Sequence, residues 1–194
     1  MLEILSVCVY CGASNDVDDV YKKAAESLGQ LVAEHGKRLV YGGGHVGLMG
    51  IIADAALGAG GDVVGIIPEH IQDQEEKHSQ LTELYVVETM HERKKMMAEK
   101  SDAFVILPGG LGTLDETFEI LTWKYLGLHS KPIVLLNIDD YWTPLVDMVS
   151  HMIKSGFSKK HHRDLFQVID HVDDLFPTLA RTEDVSVPNH FEKA

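Results

Sequence analysis

The sequence predicts an α/β protein, built as a Rossmann-like, doubly wound parallel sheet flanked by helices in a single domain. Short β-rich runs alternate with amphipathic stretches of helical length along the chain. The 194 residues, 45% of them apolar, suffice for one domain with a substantial core. Two glycine-rich segments follow predicted strands, where sheets of this class bind ligands. We therefore expect one domain over residues 1–180 and a polar tail over 181–194.

The individual elements follow from hydrophobic periodicity and from the turn residues that bound each run. Right-handed crossovers are expected between the strands. The predicted strands are residues 4–9, 38–41, 63–67, 84–87, 103–107, 133–136 and 165–169. The predicted helices are residues 17–35, 47–57, 89–100, 112–126, 141–153 and 172–179.

Charge and composition exclude several classes of function. With 17 basic and 30 acidic residues the formal net charge is −13, which argues against a broad surface for nucleic acid or anionic lipid. No stretch reaches the roughly 18 apolar residues of a membrane span, and no basic leader begins the sequence, so a soluble, cytoplasmic protein is expected. Any anionic ligand must then be bound locally.

Metal-ligating residue types occur without a recognisable ligand spacing. Cys8 and Cys11 form a C-x-x-C, which suits a redox pair, half of a metal site, or two structural thiols at a strand end. No second cysteine pair follows, which favours the structural interpretation. His161 and His162 lie in a polar stretch and are interpreted as solvated loop residues. We expect neither a metal nor a cofactor.

The first glycine-rich segment is YGGGHVGLMG, residues 41–50, in which Gly42, Gly44 and Gly47 satisfy G-x-G-x-x-G. A dinucleotide site would have this loop in the first βαβ unit and an acid at the end of the next strand. Here the loop follows the second predicted strand, and the nearest acid is Glu69. Two interpretations stay open, a tight turn with close helix packing or a phosphate or ribose contact, and the second is slightly favoured.

The second segment, PGGLGT at residues 108–113, favours an anion more strongly. Its glycines leave backbone N–H groups open at a helix N-terminus, where the helix dipole attracts negative charge. It has no P-loop lysine, so a monophosphate fits better than a triphosphate. Asp115 and Glu116 follow at once. Acids there stabilise a helix by ~0.3–1 kcal/mol through the dipole, but beside a phosphate they require nearby cations.

The cations are found in TMHERKKMMAEK, residues 89–100, which predicts a helix. Met90, Arg93, Lys94 and Met97 fall at positions i, i+3, i+4 and i+7 and so share one face. The methionines indicate that this face is buried, and a buried cation requires an anionic partner. The alternative is that Arg93 extends past the methionines to water.

These motifs, in this order and spacing, resemble those of a known family. GGGHVGLMG, MHERK and PGGLGTLDE together resemble the LONELY GUY family of cytokinin riboside 5′-monophosphate phosphoribohydrolases, often mislabelled lysine decarboxylases. The resemblance implies a Rossmann-like homodimer that hydrolyses the N-glycosidic bond of a nucleoside 5′-monophosphate, including AMP, and releases the free base and ribose 5-phosphate. A dimer also agrees with apolar residues on more than one helix face, although both faces could instead be buried within one subunit; these residues include Leu114, Phe118, Leu121, Trp123 and Tyr125.

The resemblance also implies roles for particular residues. Arg93 and Glu116 are the implied catalytic pair, with Glu116 acting as nucleophile or as the base that activates water. The acid that protonates the leaving base is not identified. Glu76 could take the place of Glu75, and His45 and Asp115 depart from the residues common in related sequences. The implied substrate contacts are Ser14, Gly43, Gly44, Glu75, Lys94, Gly109, Gly110, Leu111, Gly112, Thr113, Leu114, Asp115 and Thr122.

Three other functions compete with this one. A non-catalytic nucleotide-binding or carrier module would keep both glycine-rich segments but would not need a carboxylate directed at the anomeric carbon. A lysine decarboxylase would require a pyridoxal phosphate lysine with its pyridinium partner, and the sequence offers no such arrangement. A nicotinamide-dependent dehydrogenase is a further alternative among enzymes, and it fits the sequence less well than a phosphoribohydrolase does.

Overall fold

A computed structural model describes residues 3–72, 78 and 80–181, and it confirms the predicted fold. The strands are β1 (Ser6–Tyr10), β2 (Arg38–Tyr41), β3 (Val63–Pro68), β4 (Glu83–Val87), β5 (Ala103–Ile106), β6 (Ile133–Leu136) and β7 (Gln167–Ile169). The α-helices are α1 (Asp19–Glu34), α2 (Gly47–Gly58), α3 (Glu69–Gln72), α4 (Met90–Glu99), α5 (Leu111–Tyr125), α6 (Thr143–Lys154) and α7 (Leu175–Arg181). Short 3₁₀ helices cover Ile138–Asp140, Lys160–Leu165 and Val172–Asp174.

The seven strands form one fully parallel sheet in the order β4-β3-β2-β1-β5-β6-β7. Strands β1 to β4 follow one another toward one edge of the sheet. Strand β5 then pairs with the other side of β1, and β6 and β7 continue to the opposite edge. Cys8 of β1 is therefore paired with Val40 of β2 on one side and with Phe104 of β5 on the other. The strand order reverses between β1 and β5, and open parallel sheets bind ligands beyond the carboxyl ends of the strands at such a point.

Both faces of the sheet are covered by helices, so the central strands are apolar at successive positions rather than at alternate ones. Val7 and Val9 of β1 pack into one core cluster with residues of α1, α2 and α7. Cys8 and Tyr10 point to the opposite face, into a cluster with residues of α4, α5 and α6.

The two cysteines are free, buried, and members of different core clusters. Cys8 belongs to the cluster with α4, α5 and α6, whereas Cys11 belongs to the cluster with α1, α2 and α7. Burial raises the pKa of each thiol above its ordinary value, since the thiolate is disfavoured away from water. The burial expected of Cys8 and Cys11 is confirmed, and their structural role stays a prediction.

The predicted boundaries differ from the observed ones where a side chain takes over a backbone hydrogen bond. Strand β1 begins at Ser6 rather than at residue 4, because the Asp102 carboxylate accepts the N–H groups of Leu5 and Ser6 at 3.0 and 2.9 Å.

The interpretation of His161 and His162 as solvated loop residues is wrong. They are half-buried in the Lys160–Leu165 helix, and the His162 ring lies edge-on to Tyr125, 4.7 Å away.

The tail predicted over residues 181–194 begins within a helix. Helix α7 includes Arg181, and residues 182–194 lie outside the described residues. Within residues 3–72 and 80–181, no helix has both the length and the apolar character needed to cross a bilayer.

Candidate active site

A cavity of about 540 Å³ opens at the carboxyl ends of the central strands, beside the reversal of strand order. Loops after β1, β2 and β5 form its floor, helices α4 and α5 contribute its charged side chains, and Tyr141 closes one side. Its lining comprises Cys11, Gly12, Ala13, Ser14, Val17, Tyr21, Gly42, Leu48, Met49, Ile71, Met90, Arg93, Pro108, Gly109, Gly110, Gly112, Thr113, Glu116 and Tyr141.

The centre of the cavity is an ion pair between α4 and α5. Arg93 Nη1 lies 3.2 Å from Glu116 Oε1, and the two side chains are only 11% and 8% exposed. Arg93 Nε also donates a hydrogen bond of 3.1 Å to the carbonyl of Ile66 at the end of β3, which fixes the guanidinium. The expectation of an anionic partner for Arg93 is confirmed, and the alternative that Arg93 extends to water is wrong.

Burial gives the Glu116 carboxyl an unusual affinity for protons. Desolvation raises the pKa of Glu116 to about 7, although the Arg93 guanidinium beside it acts in the opposite direction. Near neutral pH the group is therefore poised between its acid and carboxylate forms. Titratable groups in clefts with such shifts are typical of catalytic acids and bases.

The N-terminus of α5 faces the same cavity and has no side-chain cap. The first intrahelical bond runs from the N–H of Leu114 to the carbonyl of Gly110 at 3.0 Å, so the N–H groups of Leu111, Gly112 and Thr113 have no acceptor within the helix. A side chain at Gly110 or Gly112 would meet nothing within 4 Å, so both approaches are open. This geometry suits an anion, as the sequence predicted.

The glycine-rich loop that leads into α5 is held rigidly by its neighbours. The N–H of Gly12 donates to the carbonyl of Pro108 at 3.0 Å, and a Cβ at Gly109 would overlap Thr113 and the Gly12 backbone. Only glycine at position 109 allows the loops after β1 and β5 to come this close.

Tyr141 is a feature of the site that the sequence predictions missed. Its hydroxyl donates a 2.7 Å hydrogen bond to the carbonyl of Gly109, and its ring lies edge-on to Tyr21, 5.7 Å away. Asp139 and Asp140, which precede it, adopt left-handed φ values of 50° and 58°. Consecutive aspartates after a strand are a signal for this conformation, because Asp tolerates it better than most residues.

Lys94 is buried and has anionic partners, as expected for a cation on this face, but its partners differ from that of Arg93. Its Nζ lies 3.0 Å from Asp115 Oδ2 and 3.1 Å from Glu119 Oε1. Burial alone would lower the pKa of Lys94, but the hydrogen bonds with these carboxylates outweigh it and raise the pKa. Adjacent helix positions are about 100° apart, so Arg93 reaches the cavity while Lys94 neutralises the outer acids of α5.

Several glycines of the first glycine-rich segment are required by close packing. Gly43 and Gly47 have φ values of +78° and +59°, and a Cβ at Gly47 would overlap the Ala13 backbone. A Cβ at Gly42 would overlap the Arg93 guanidinium, so this glycine makes room for the ion pair. The packing interpretation thus accounts for these three positions, and Gly42 alone of them borders the cavity.

The implied substrate contacts divide into two groups in the described structure. Ser14, Gly109, Gly110, Gly112 and Thr113 line the cavity together with Arg93 and Glu116. The others are not among the lining residues. Lys94, Gly43 and Gly44 are buried, and Leu111, Leu114, Asp115 and Thr122 are partly or largely exposed. Glu75 lies outside the described residues. The substrate contacts of all these residues stay predictions.

Comparisons with known proteins agree with the fold and with the motifs. Two of the solved structures that match the fold illustrate the likeness. The molybdenum cofactor carrier protein of Chlamydomonas reinhardtii matches with a TM-score of 0.71 and 22% identity over 93% of this chain and 98% of that one. The molybdenum cofactor binding protein of Rippkaea orientalis has a TM-score of 0.69 at 22% identity over the same shares. At this level of identity the likeness concerns the fold alone.

Curated relatives are much closer in sequence. A cytokinin riboside 5′-monophosphate phosphoribohydrolase of Rhodococcoides fascians is 52% identical over 153 residues, which cover 78% of this chain and 77% of that protein. The Arabidopsis thaliana phosphoribohydrolase LOG5 is 44% identical over 82% of this chain and 70% of its own length. The family model described as possible lysine decarboxylase matches residues 49–179. The chain therefore belongs to the LONELY GUY family, to which that older description is attached.

Proposed function

We propose that this protein hydrolyses the N-glycosidic bond of cytokinin riboside 5′-monophosphates, and of AMP, to give the free base and ribose 5-phosphate. The observation that carries the proposal is the Glu116 carboxyl, buried beside Arg93 in a cavity that ends at an uncapped helix N-terminus. The relatives named as phosphoribohydrolases support the same reaction.

In this proposal the 5′-phosphate binds at the N-terminus of α5. The N–H groups of Leu111, Gly112 and Thr113 donate to its oxygens, and the helix dipole adds to the attraction. Arg93 offsets the repulsion between the phosphate and Glu116, which is one α-helical turn further along α5 than Gly112. The bound phosphate thereby positions the ribose with its anomeric carbon toward Glu116.

The bond cleavage follows from the charge that develops on the sugar. As the C1′–N bond breaks, its electron pair leaves with the base, and the ribose acquires oxocarbenium character that a carboxylate stabilises. Water then adds to C1′ and gives up a proton, and the base gains one. Glu116 serves as the nucleophile or as the base for this water, and Arg93 orients it.

Burial makes Glu116 suited to this task. Desolvation disfavours the carboxylate in the free enzyme, as its raised pKa records, whereas a cationic ribose beside it favours the charged form. The interaction is therefore stronger in the transition state than in the ground state, which is the condition for acceleration.

The test is a product assay with AMP, prenylated AMP, GMP and CMP, each with and without its 5′-phosphate. We expect free base and ribose 5-phosphate from the adenine monophosphates, and loss of both products with Glu116→Gln. Glu99→Gln is the matched control, because Glu99 is an exposed carboxylate on α4 that pairs only with Lys95 at 3.7 Å among the described residues. Release of no base from any monophosphate would refute the proposal.

A carrier without chemistry is the second candidate, because the uncapped N-terminus of α5 in the cavity could hold an anionic ligand without any reaction. A carrier would bind AMP and return it unchanged, and its affinity would be similar with Glu116→Gln. The product assay therefore separates the two candidates directly. The buried, proton-binding carboxylate in the cavity favours hydrolysis, since ligand retention alone does not need it.

We also propose that the protein is a homodimer in the cytoplasm. Helix α5 exposes Leu111, Phe118 and Tyr125, which are 86%, 40% and 46% exposed and lie seven residues apart. Residues at this spacing form one stripe, and a second copy would cover it. Sedimentation of a single species of 21.5 kDa at micromolar concentration would contradict the dimer. Phe118→Glu should weaken association, and Phe157→Glu, at an exposed position outside α5, is the control.

A further inference from the structure

Three metal-ligating side chains converge at a place separate from the cavity. The ligand atoms of His45, Asp54 and His78 all lie within 4.8 Å of one another. His45 belongs to the loop between β2 and α2, Asp54 to α2 itself, and His78 to the connection between α3 and β4. None of the three is among the described residues that line the cavity.

The backbone fixes two of these residues on one rigid element. The carbonyl of His45 packs directly against Gly50 in the first turn of α2, where any Cβ would overlap it. Asp54 lies one turn further along the same helix, on the side that meets His45. The loop and the helix therefore hold the imidazole and the carboxylate close together before any ligand binds.

His78 completes the group from the other side. Its side chain is buried, its Nε2 lies 2.9 Å from Asp54 Oδ1, and its ring is edge-on to His45 with centroids 4.6 Å apart. His45 and Asp54 are exposed, so an ion can reach the group from solvent. A buried imidazole thus forms the inner wall of a small, open polar cluster.

We propose that His45, Asp54 and His78 bind a divalent transition-metal ion of the zinc class. Two imidazoles and one carboxylate are ligands that Zn²⁺ accepts, with water in the fourth position. Bond lengths of about 2.0–2.2 Å in a tetrahedron place ligand atoms about 3.3 Å apart. The exposed His45 and Asp54 side chains need to move by about 1 Å to reach that separation.

Without metal, His78 makes hydrogen bonds that fix the position of its ring proton. This position distinguishes a simple His78–Asp54 contact from a metal site. The N–H of Gln80 donates to His78 Nδ1 at 3.3 Å, which requires the ring proton on Nε2, where it is donated to Asp54. A metal at Nε2 requires the proton on Nδ1 instead and breaks the bond from Gln80. Metal binding therefore switches the tautomer of His78.

The bound ion would act on structure rather than on the reaction. It would tie His78 to Asp54 of α2 and to His45 in the loop before that helix. The connection from β3 through α3 also carries Ile71, which lines the cavity, and the His45 loop carries Gly42 beside Arg93. We therefore expect higher thermal stability on metal binding, with the Arg93 and Glu116 pair unchanged.

The test uses the untagged, full-length chain after removal of metals by a chelator. Titration with Zn²⁺ should show one ion per chain at micromolar concentration, and Co²⁺ should give the visible absorption of a tetrahedral site. The melting temperature should rise with Zn²⁺. Nitrogen NMR of the histidine rings should show the His78 proton on Nε2 without metal and on Nδ1 with it.

Variants decide whether these three residues form the site. His45→Ala and Asp54→Asn each remove an exposed ligand, and each should weaken binding by at least the roughly 10–100-fold that loss of an outer-shell partner costs. His151→Ala, at an exposed position of α6, is the matched control and should bind normally. Absence of stoichiometric binding, or binding unaffected by His45→Ala, would overturn the proposal and leave a hydrogen-bonded His78–Asp54 pair.

Discussion

Replacing Glu116 by glutamine removes a buried carboxylate and keeps the shape of the side chain. Titration of this one carboxyl should therefore govern how both the unfolding free energy and the turnover of the original protein depend on pH. Glu116 is 8% exposed and pairs with Arg93 at 3.2 Å. Its pKa is raised to about 7 by burial, from 4.5 in the absence of the fold. Glutamine fills nearly the same volume but cannot titrate, so any pH dependence that comes from position 116 disappears in the variant.

The size of the effect follows from the difference between these two pKa values. A shift from 4.5 to about 7 is about 2.5 pH units, or on the order of 3 kcal/mol at 1.36 kcal/mol per unit. Because the pKa is higher in the folded state, the folded protein binds more protons between pH 4.5 and 7. This contribution to the unfolding free energy is complete below pH 4.5 and is lost as the pH rises through 7.

The assay is urea unfolding of both proteins between pH 4.5 and 8. The unfolding free energy of Glu116→Gln, minus that of the original protein, should increase by about 3 kcal/mol across this range and then level off. Turnover of a nucleoside monophosphate should fall by about 10²–10⁴-fold in the variant. The kcat/KM of the original protein should increase with pH through about 7, because the carboxylate is the active form.

Two results would refute this reasoning. Parallel stability curves for the two proteins would mean that Glu116 titrates normally despite its burial. Near-normal turnover by Glu116→Gln would remove the carboxylate from the mechanism and leave it as a partner of Arg93 and of the helix dipole.

Four further predictions follow from the same geometry. Arg93→Ala should destabilise the fold by about 3–5 kcal/mol in urea unfolding, since it leaves Glu116 buried without its cation. Tyr141→Phe removes the bond to the Gly109 carbonyl and should raise KM for the monophosphate with a stability loss of about 1 kcal/mol or less; an unchanged KM would mean that this bond does not position the loop. Tyr41→Phe removes a buried hydroxyl that has no hydrogen-bond partner among the described residues, and thermal unfolding should show no loss of stability. Steady-state kinetics should show a much higher kcat/KM for AMP than for adenosine, ADP or ATP, and equal values for adenosine and AMP would contradict phosphate binding at the N-terminus of α5.

The fold was predictable because its strongest determinants are local. The central strands are buried on both faces, so they read as continuous apolar runs, and the long helices between them have clear periodicity. The ends of elements were less predictable because distant side chains decide them. The Asp102 carboxylate, 96 residues away from Ser6, determines where β1 begins, and no window of local sequence contains that information.

The part of the site that depends on the helical spacing of α4 was predictable from the sequence. The buried face of α4 indicated an anionic partner for Arg93, and Glu116 is that partner. The different direction of Lys94 follows from helical geometry and was available from the sequence as well. Tyr141 was not predictable in the same way, because its place over Gly109 depends on the left-handed turn after β6 and on the order of the strands.

The order of the strands also explains how the Glu116 carboxylate can be buried and still border the cavity. Arg93 and Glu116 lie on the helices that precede and follow β5, so the strand separates them in sequence while both helices cover the same face of the sheet. Their pairing removes water from the carboxylate but does not fully compensate the cost, as the raised pKa of Glu116 demonstrates. A more complete compensation would lower that pKa and stabilise the fold, and it would also weaken the attraction of Glu116 for a developing positive charge on a sugar. The incomplete pairing is therefore what a site for cleavage of an N-glycosidic bond requires. A second cation placed beside Glu116 should increase the unfolding free energy and lower kcat.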